Sequence, residues 1–292
     1  MLWYMPVLLR IIIAHGLFPS FVKVLGRRSL AKRNVLQFLF CFSYAVCFAL
    51  LWGQLIIDQR IYPIVIMGLF NGVGAYCQWQ AIRISLSRNA LFTFWDDIIA
   101  MLLAYVILGE GQFLNAGIGI GIALSLGAVI LFAVEQYQKE KEQGKGSLAF
   151  YFYVGVYSLV WGVATFFMRF MGLQHYSAGA FLPPWYLGSL ITALLIMVYR
   201  QGSDKENFLS SKRELLVMGV FSTLVIGALA LEYYAFLLAP LIIVQPIFLV
   251  SEMVVPSLIG LYVFRERKDL NRKQKMFFAL CILGGLLIVL SF

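Results

Sequence analysis

The chain of 292 residues is too apolar for an ordinary soluble protein: 62% of its residues are hydrophobic, 13% are charged and its mean hydropathy is +0.87. A soluble domain is nearer half apolar and a quarter charged, so the surplus apolar surface needs lipid to cover it. The net charge of +9 does not indicate a nucleic-acid partner, because the basic residues lie mostly in short loops between apolar runs and form no basic arm.

Ten hydrophobic runs follow one another along the chain, each long enough for a helix that crosses a bilayer. They are Trp3–Leu25, Asn34–Ile57, Tyr62–Ser85, Asn89–Leu108, Phe113–Gln136, Leu148–Met171, Gly179–Tyr199, Leu215–Leu238, Leu241–Phe264 and Met276–Phe292. The sequence therefore predicts an all-α integral membrane protein with ten transmembrane helices. We expect it to be a multi-pass protein of a plasma or inner membrane.

The loops between these runs differ in charge. Eighteen basic residues, among them Arg27 and Arg267, lie in the loops that follow odd-numbered predicted helices, whereas the other loops contain Arg60 alone. Loops rich in Lys and Arg stay in the cytoplasm. The odd-numbered loops are therefore predicted to be cytoplasmic and, with ten spans, both termini to face outward.

Four short segments of the first half recur, in the same order, in the second half. The pairs are His15–Gly26 with Trp161–Gly172, Met67–Phe70 with Met218–Phe221, Gln78–Ile82 with Glu232–Phe236, and Leu108–Glu110 with Phe264–Glu266. Because five helices per repeat is an odd number, the two halves must insert in opposite directions, as in inverted-repeat transporters. The predicted domains are a first five-helix repeat (1–136), a cytoplasmic linker (137–147) and a second five-helix repeat (148–292).

These features resemble the drug/metabolite transporter superfamily, in its EamA-like branch. The resemblance rests on the five-plus-five duplication, on Gly16 and Gly162 with the basic residues that follow them, and on Gly109-Glu110 at the end of predicted helix 4. It implies alternating access around a central cavity lined chiefly by helices 1, 3, 4, 6, 8 and 9. Family members usually have both termini inside, opposite to the loop charges here. Either this chain is inverted or its number of helices differs by one.

Carboxylates in the middle of apolar runs are the main candidates for a site. Asp96 and Asp97 lie near the middle of predicted helix 4, and Glu252 lies at the middle of predicted helix 9. The repeat makes Asp96 and Glu252 equivalent. An ionisable group at the bilayer centre costs about 2.5–3.5 kcal/mol on insertion scales, so such groups are usually functional. They can bind a cation, carry protons, or lock to a buried arginine. Asp97 points about 100° away from Asp96 around the helix, so we expect at most one of them to face the cavity centre.

A second group of candidates combines polar and aromatic side chains in predicted helices 3 and 8. It consists of Asn71, Gln78, Trp79 and Gln80, together with Glu232, Tyr233 and Tyr234. Such side chains can cradle a substrate by hydrogen bonds and stacking, and they can equally form an aromatic belt at the membrane surface. Asn71 and Gln78 are seven residues apart, so they share one face of a helix.

Predicted helix 1 contains two further polar residues, Arg10 and His15. Arg10 can receive a carboxylate or phosphate of a substrate, or pair internally with Asp96 or Asp97, and we favour internal pairing. His15 is either a proton carrier or, as is commoner for a lone histidine, a packing residue.

Small residues and prolines indicate how the helices pack. Gly117 and Gly121 have a spacing that lets helices approach closely, either against helix 10 at Gly284 and Gly285 or in a homodimer. Prolines in predicted helices 7 and 9 are expected to bend or break them. The four cysteines are isolated within apolar runs, and neither a metal nor a cofactor is predicted.

Taken together, the residues favour a secondary transporter of a small polar metabolite, amino-acid-like or cationic, that works by alternating access. The alternative is a flippase, or an accessory subunit, for a lipid-linked head group. An enzyme is not predicted, because neither a Ser/His arrangement nor an HExxH motif occurs in the chain.

Overall fold

The computed structural model describes a helical protein. The described residues are 3–18, 21, 30–56, 58–84, 89, 94–142, 148–200, 211–259 and 272–292, and none of them lies in a β-strand. Their helices are α1 (Tyr4–Arg10), a π-helical segment (Ile11–Leu17) that continues α1, α2 (Leu30–Leu51), α3 (Ile61–Ile84), α4 (Phe94–Ile107), a short 3-10 helix (Glu110–Phe113), α5 (Ala116–Glu142), α6 (Leu148–Leu173), α7 (Ala178–Arg200), α8 (Lys212–Leu238), α9 (Leu241–Leu258) and α10 (Arg272–Ser291).

Five of the described helices, α2, α3, α6, α7 and α8, are long and apolar enough to cross a membrane. Large apolar side chains are exposed on them, for example Tyr199 at 86% and Leu195 at 65% of their surface. Lipid covers such side chains without cost, whereas water does not. These features agree with a helical membrane protein, as the composition predicts.

Each predicted run overlaps one of the helices α1 to α10, and the largest differences lie at the ends. Predicted helix 2 was expected to continue to Ile57, but α2 ends at Leu51. Gly53 takes a positive φ of 61° there, its N–H donates to the Leu50 carbonyl and the N–H of Gln54 donates to the Ala49 carbonyl. This is a Schellman motif, which only a residue tolerant of the left-handed region closes easily. The predicted ends of helix 1 at Leu25 and of helix 9 at Phe264 lie outside the described residues.

The described helices form two compact units, and each unit draws on both halves of the sequence. Unit 1 consists of Ala81–Phe166 and Leu238–Phe292, and unit 2 consists of Leu2–Gln80 and Phe167–Leu237. The units therefore do not coincide with the predicted repeats 1–136 and 148–292. A unit groups segments that pack together, whereas a repeat groups segments of similar sequence, so the repeat stays a prediction.

In unit 1, small residues bring α5 and α10 together. A methyl group on Gly121 would meet the Gly284 carbonyl oxygen at 2.7 Å and the Ile288 side chain at the same distance. Asn115 at the start of α5 also donates a hydrogen bond to the carbonyl of Ser291, 2.8 Å away. The packing of the Gly117/Gly121 pair against helix 10 is thus confirmed within the chain.

The prolines of α7 and α9 lie inside helices that continue past them, so they do not break either helix.

Gly162 allows a similar approach of α6 to α4. A methyl group there would meet the Ile99 side chain at 2.6 Å and the Asp96 carbonyl oxygen at 2.8 Å. We expect Gly162→Ala to destabilise the protein by about 1–3 kcal/mol, since overpacking forces backbone shifts. Gly155 in the same helix is the matched control, because nothing lies within 4 Å of its added methyl group. Thermal unfolding in detergent should give a lower Tm for Gly162→Ala than for Gly155→Ala. Equal Tm values would contradict this packing.

The Gly109-Glu110 motif connects the end of α4 to the beginning of α9. Gly109 adopts a left-handed conformation with φ 66° and starts the 3-10 helix. The side chain of Glu110 is 2% exposed, and its Oε2 accepts a hydrogen bond of 3.0 Å from the backbone N–H of Ile242. The residue before α9 is Pro240, whose side chain forms no capping hydrogen bond. Glu110 therefore caps α9 from a distant part of the chain.

Glu110→Ala is accordingly expected to lower the stability of the protein by about 1–2 kcal/mol, the usual cost of losing a helix cap. Glu110→Gln keeps an oxygen acceptor and should lose clearly less. Thermal unfolding of the two variants side by side measures the difference. If alanine and glutamine have the same effect, the hydrogen bond to Ile242 does not stabilise α9.

The connection between α2 and α3 holds Arg60, the one basic residue in the even-numbered predicted loops. Arg60 donates to Asp58 through Nε at 2.8 Å and Nη2 at 2.5 Å, and its guanidinium lies 4.6 Å from the ring centre of Tyr176. The hydrogen bonds from Arg60 hold the pKa of Asp58 below its ordinary value. Arg60, the one exception to the asymmetry of basic residues between the loops, is thus paired with the carboxylate of Asp58.

Candidate functional site

The predicted carboxylates of unit 1 lie in α4. Asp96 and Asp97 belong to its described part, Phe94–Ile107. Asp97 is 2% exposed, and its Oδ1 accepts a hydrogen bond of 2.5 Å from Nε2 of Gln245 in α9.

Asp96 is close to two further acidic groups and one phenol. It interacts electrostatically with Asp97 and with Glu252 of α9. Tyr157 of α6 interacts with all three carboxylates. The structure thus brings together Asp96 and Glu252, the pair that the repeat predicts to be equivalent. We call Asp96, Asp97, Tyr157, Gln245 and Glu252 the acidic cluster.

Several polar atoms in and beside the acidic cluster are buried without a hydrogen bond. They are Oδ1 of Asp96, Oε1 of Gln245, the hydroxyl of Tyr157 and, one turn along α6, Nε1 of Trp161. A buried polar group without a partner costs about 1–3 kcal/mol. Such groups gathered in one place are typical of a site that binds something.

The helix positions explain this convergence. Gln245 and Glu252 are seven residues apart and lie on one face of α9, and Tyr157 and Trp161 are four apart on one face of α6. Gly162 brings α6 against the backbone of Asp96. Among the described residues, no three His, Cys, Asp or Glu side chains are arranged to hold a metal ion.

In unit 2, Arg10 forms an internal ion pair, as favoured, but its partner is Glu232 and not the predicted Asp96 or Asp97. Nε and Nη2 of Arg10 both lie 3.0 Å from Oε2 of Glu232, and the two side chains are 10% and 8% exposed. A charge in an apolar run indicates that a partner exists, but its sequence position does not say which opposite charge the fold supplies.

The π-helical segment places His15 on the other side of Arg10. Residues five apart point in different directions on an α-helix, but the i to i+5 hydrogen bonds of a π-helix bring them closer to one face. Nη1 of Arg10 lies 3.0 Å from Nε2 of His15, which is 4% exposed. Because a guanidinium nitrogen only donates, Nε2 accepts and the imidazole is neutral, with its proton on Nδ1. His15 therefore helps to hold the buried arginine.

The predicted polar and aromatic group of α3 is mostly occupied in packing. Asn71 donates to Oγ of Ser189 at 2.8 Å and ties α3 to α7. Trp79 is 3% exposed, and its ring packs edge-on against Phe221 with centroids 5.7 Å apart. Gln78 is half-buried.

The two predicted tyrosines of α8 differ in burial. Tyr233 is fully buried, stacks on Phe181 with ring centroids 4.7 Å apart and donates its hydroxyl to the carbonyl of Tyr176 at 2.8 Å. These contacts give it a structural role. Tyr234, at 38% exposed, lies on the surface of α8.

Comparison with known proteins identifies a structure of similar fold but no family. No family model matches the chain, and no curated protein matches it. The chain is similar to a solved crystal structure described only as that of a protein, with a TM-score of 0.67, 13% identity, and coverage of 99% of this chain and 96% of that chain. At this identity the likeness concerns the fold alone.

Proposed function

We propose that the chain is a secondary transporter that moves a small polar metabolite, cationic or amino-acid-like, across a membrane by alternating access. The acidic cluster carries this proposal. Acidic side chains in an apolar, lipid-exposed protein are tolerated where they meet water, a proton or a cationic partner. The unbonded N–H of Trp161 nearby suits a ligand that also carries a hydrogen-bond acceptor.

The proposal includes ten transmembrane spans arranged as two inverted five-helix repeats, as in the drug/metabolite transporters. Helix packing within each unit supports this. In unit 2, α2 packs against α7, and in unit 1, α4 packs against α9 and α5 against α10. Each pair joins helices that the repeat makes equivalent, which is expected for helices beside a two-fold axis.

Repeat-related residues also have related contacts. Gly68 of α3 contacts Gly188 of α7. Gly219 of α8, which the repeat aligns with Gly68, faces Tyr44 of α2. Asn71 of α3 donates to Ser189 of α7. Ser222 of α8, which the repeat aligns with Asn71, donates to the backbone carbonyl of Gln37 in α2 at 3.1 Å. These matching contacts of polar and small residues support the proposed repeat.

A thermal-shift screen of the purified protein against a metabolite panel tests the proposal, because a ligand that binds the native state raises its Tm. We expect amines or amino acids to raise the Tm of the wild type but not of Asp96→Asn. Glu214→Gln is the control, since Glu214 pairs with Lys32 outside the acidic cluster. If only lipid-linked compounds raise the Tm, the chain handles a lipid head group instead.

A further inference from the structure

The unbonded oxygens of the acidic cluster point to the ion that accompanies transport. Three of them, Asp96 Oδ1, Gln245 Oε1 and the Tyr157 hydroxyl, have no hydrogen-bond partner and lie on three different helices of unit 1. Gln245 and Tyr157 are 4% and 1% exposed, so water outside the protein does not satisfy them. Each atom needs a partner inside the fold.

Most of these three groups can only accept hydrogen bonds. A carboxylate and an amide oxygen only accept, and of the three groups only the Tyr157 hydroxyl can donate. Nε2 of Gln245 already donates to Asp97, whereas its Oε1 has no hydrogen-bond partner. One added proton supplies a donor to only one of these oxygens. A small cation contacts several oxygens at once and satisfies them together.

We propose that a sodium ion binds in the acidic cluster, with Asp96 Oδ1, Gln245 Oε1 and the Tyr157 hydroxyl among its ligands. Carboxylate, carbonyl and hydroxyl oxygens are the ligands that hard cations prefer. A monovalent ion accepts neutral oxygens beside one or two carboxylates, so it needs no set of three acidic ligands. The absence of such a set among the described residues therefore does not count against it.

The acidic side chains around Asp96 give the ion its role. Asp96 interacts electrostatically with Asp97 and with Glu252, so a sodium ion bound to Asp96 lies beside further carboxyl groups. A cationic substrate or a proton can bind at the same carboxyl groups. Sodium would then be the coupling ion of transport. This role rests on the proposed function, whereas sodium binding itself does not.

The test measures the Tm of the purified full chain in sodium chloride, potassium chloride and choline chloride at one ionic strength, at acidic and at neutral pH. We expect a saturable rise of several degrees in sodium alone, at neutral pH. Equal Tm values in all three salts would overturn the proposal. So would a rise caused by acid whatever the cation, because a proton would then fill the cluster.

Two variants locate the ion. Asp96→Asn and Gln245→Leu should lose the sodium-dependent shift, while Glu214→Gln and Gly155→Ala keep it. Direct binding of radioactive sodium to the wild type decides the matter should either cluster variant fail to fold, and no saturable binding would refute the site. A sodium-dependent shift in a protein that transports no metabolite would leave the cation site standing and remove the transport function.

Discussion

Transport by Asp96→Asn and by Glu252→Gln is expected to fall about ten- to a hundredfold. This range corresponds to losing one charge-assisted interaction, about 1.5–3 kcal/mol. Both changes keep the shape of the side chain and remove its charge. Because desolvating that charge costs free energy, the variants should insert and fold normally. Uptake of the ligand found by thermal shift, measured in proteoliposomes, gives the rates.

The control for these variants is Glu214→Gln, which makes the same chemical change outside unit 1. Its uptake should match that of the wild type. If Asp96→Asn and Glu252→Gln both transport at the wild-type rate, the acidic cluster is not the site. The remaining candidates would then be Glu232, Gln78 and Tyr234.

The second large effect concerns stability. Glu232→Ala is expected to destabilise the protein by about 3–5 kcal/mol, because it leaves the charge of Arg10 buried without its carboxylate. Arg10→Ala should have a similar effect for the opposite reason. Asp58→Ala, which removes the partner of Arg60 in a pair whose side chains are 29% and 45% exposed, is the comparison and should cost about 1 kcal/mol or less. Unfolding in mixed detergent micelles measures all three.

A double variant separates the ion pair from packing. Arg10→Met with Glu232→Leu removes both charges and keeps apolar volume, so most of the lost stability should return. A residual loss of about 1–3 kcal/mol is expected, since Nε2 of His15 loses its donor. If the double variant is as unstable as the sum of the single ones, the two side chains do not stabilise each other.

Helix positions could be predicted from the sequence because a long apolar run in lipid must satisfy its own backbone hydrogen bonds, and it does so as a helix. Helix ends were harder to predict. α2 stops at Leu51 because of Gly53, and a glycine after an apolar run was a visible signal that hydropathy alone ignores. The carboxylates of the candidate site were found from their cost in an apolar run.

Their partners were not predicted. Gln245 could have been found, since it lies seven residues before Glu252 in an otherwise apolar segment. Tyr157 could not, because a tyrosine near the middle of an apolar helix is more often a packing residue. The pairing of Arg10 with Glu232 depends on tertiary packing between α1 and α8, which no local pattern encodes. The same holds for the hydrogen bond from Ile242 to Glu110.

Counterflow in proteoliposomes tests the transport function most directly. Vesicles that contain the purified protein are loaded with the unlabelled ligand and diluted into a trace of the labelled ligand. A secondary transporter should concentrate the label inside transiently, without ATP, and Asp96→Asn should slow this about ten- to a hundredfold. Binding of the ligand without any counterflow, in vesicles that remain sealed, would contradict the account.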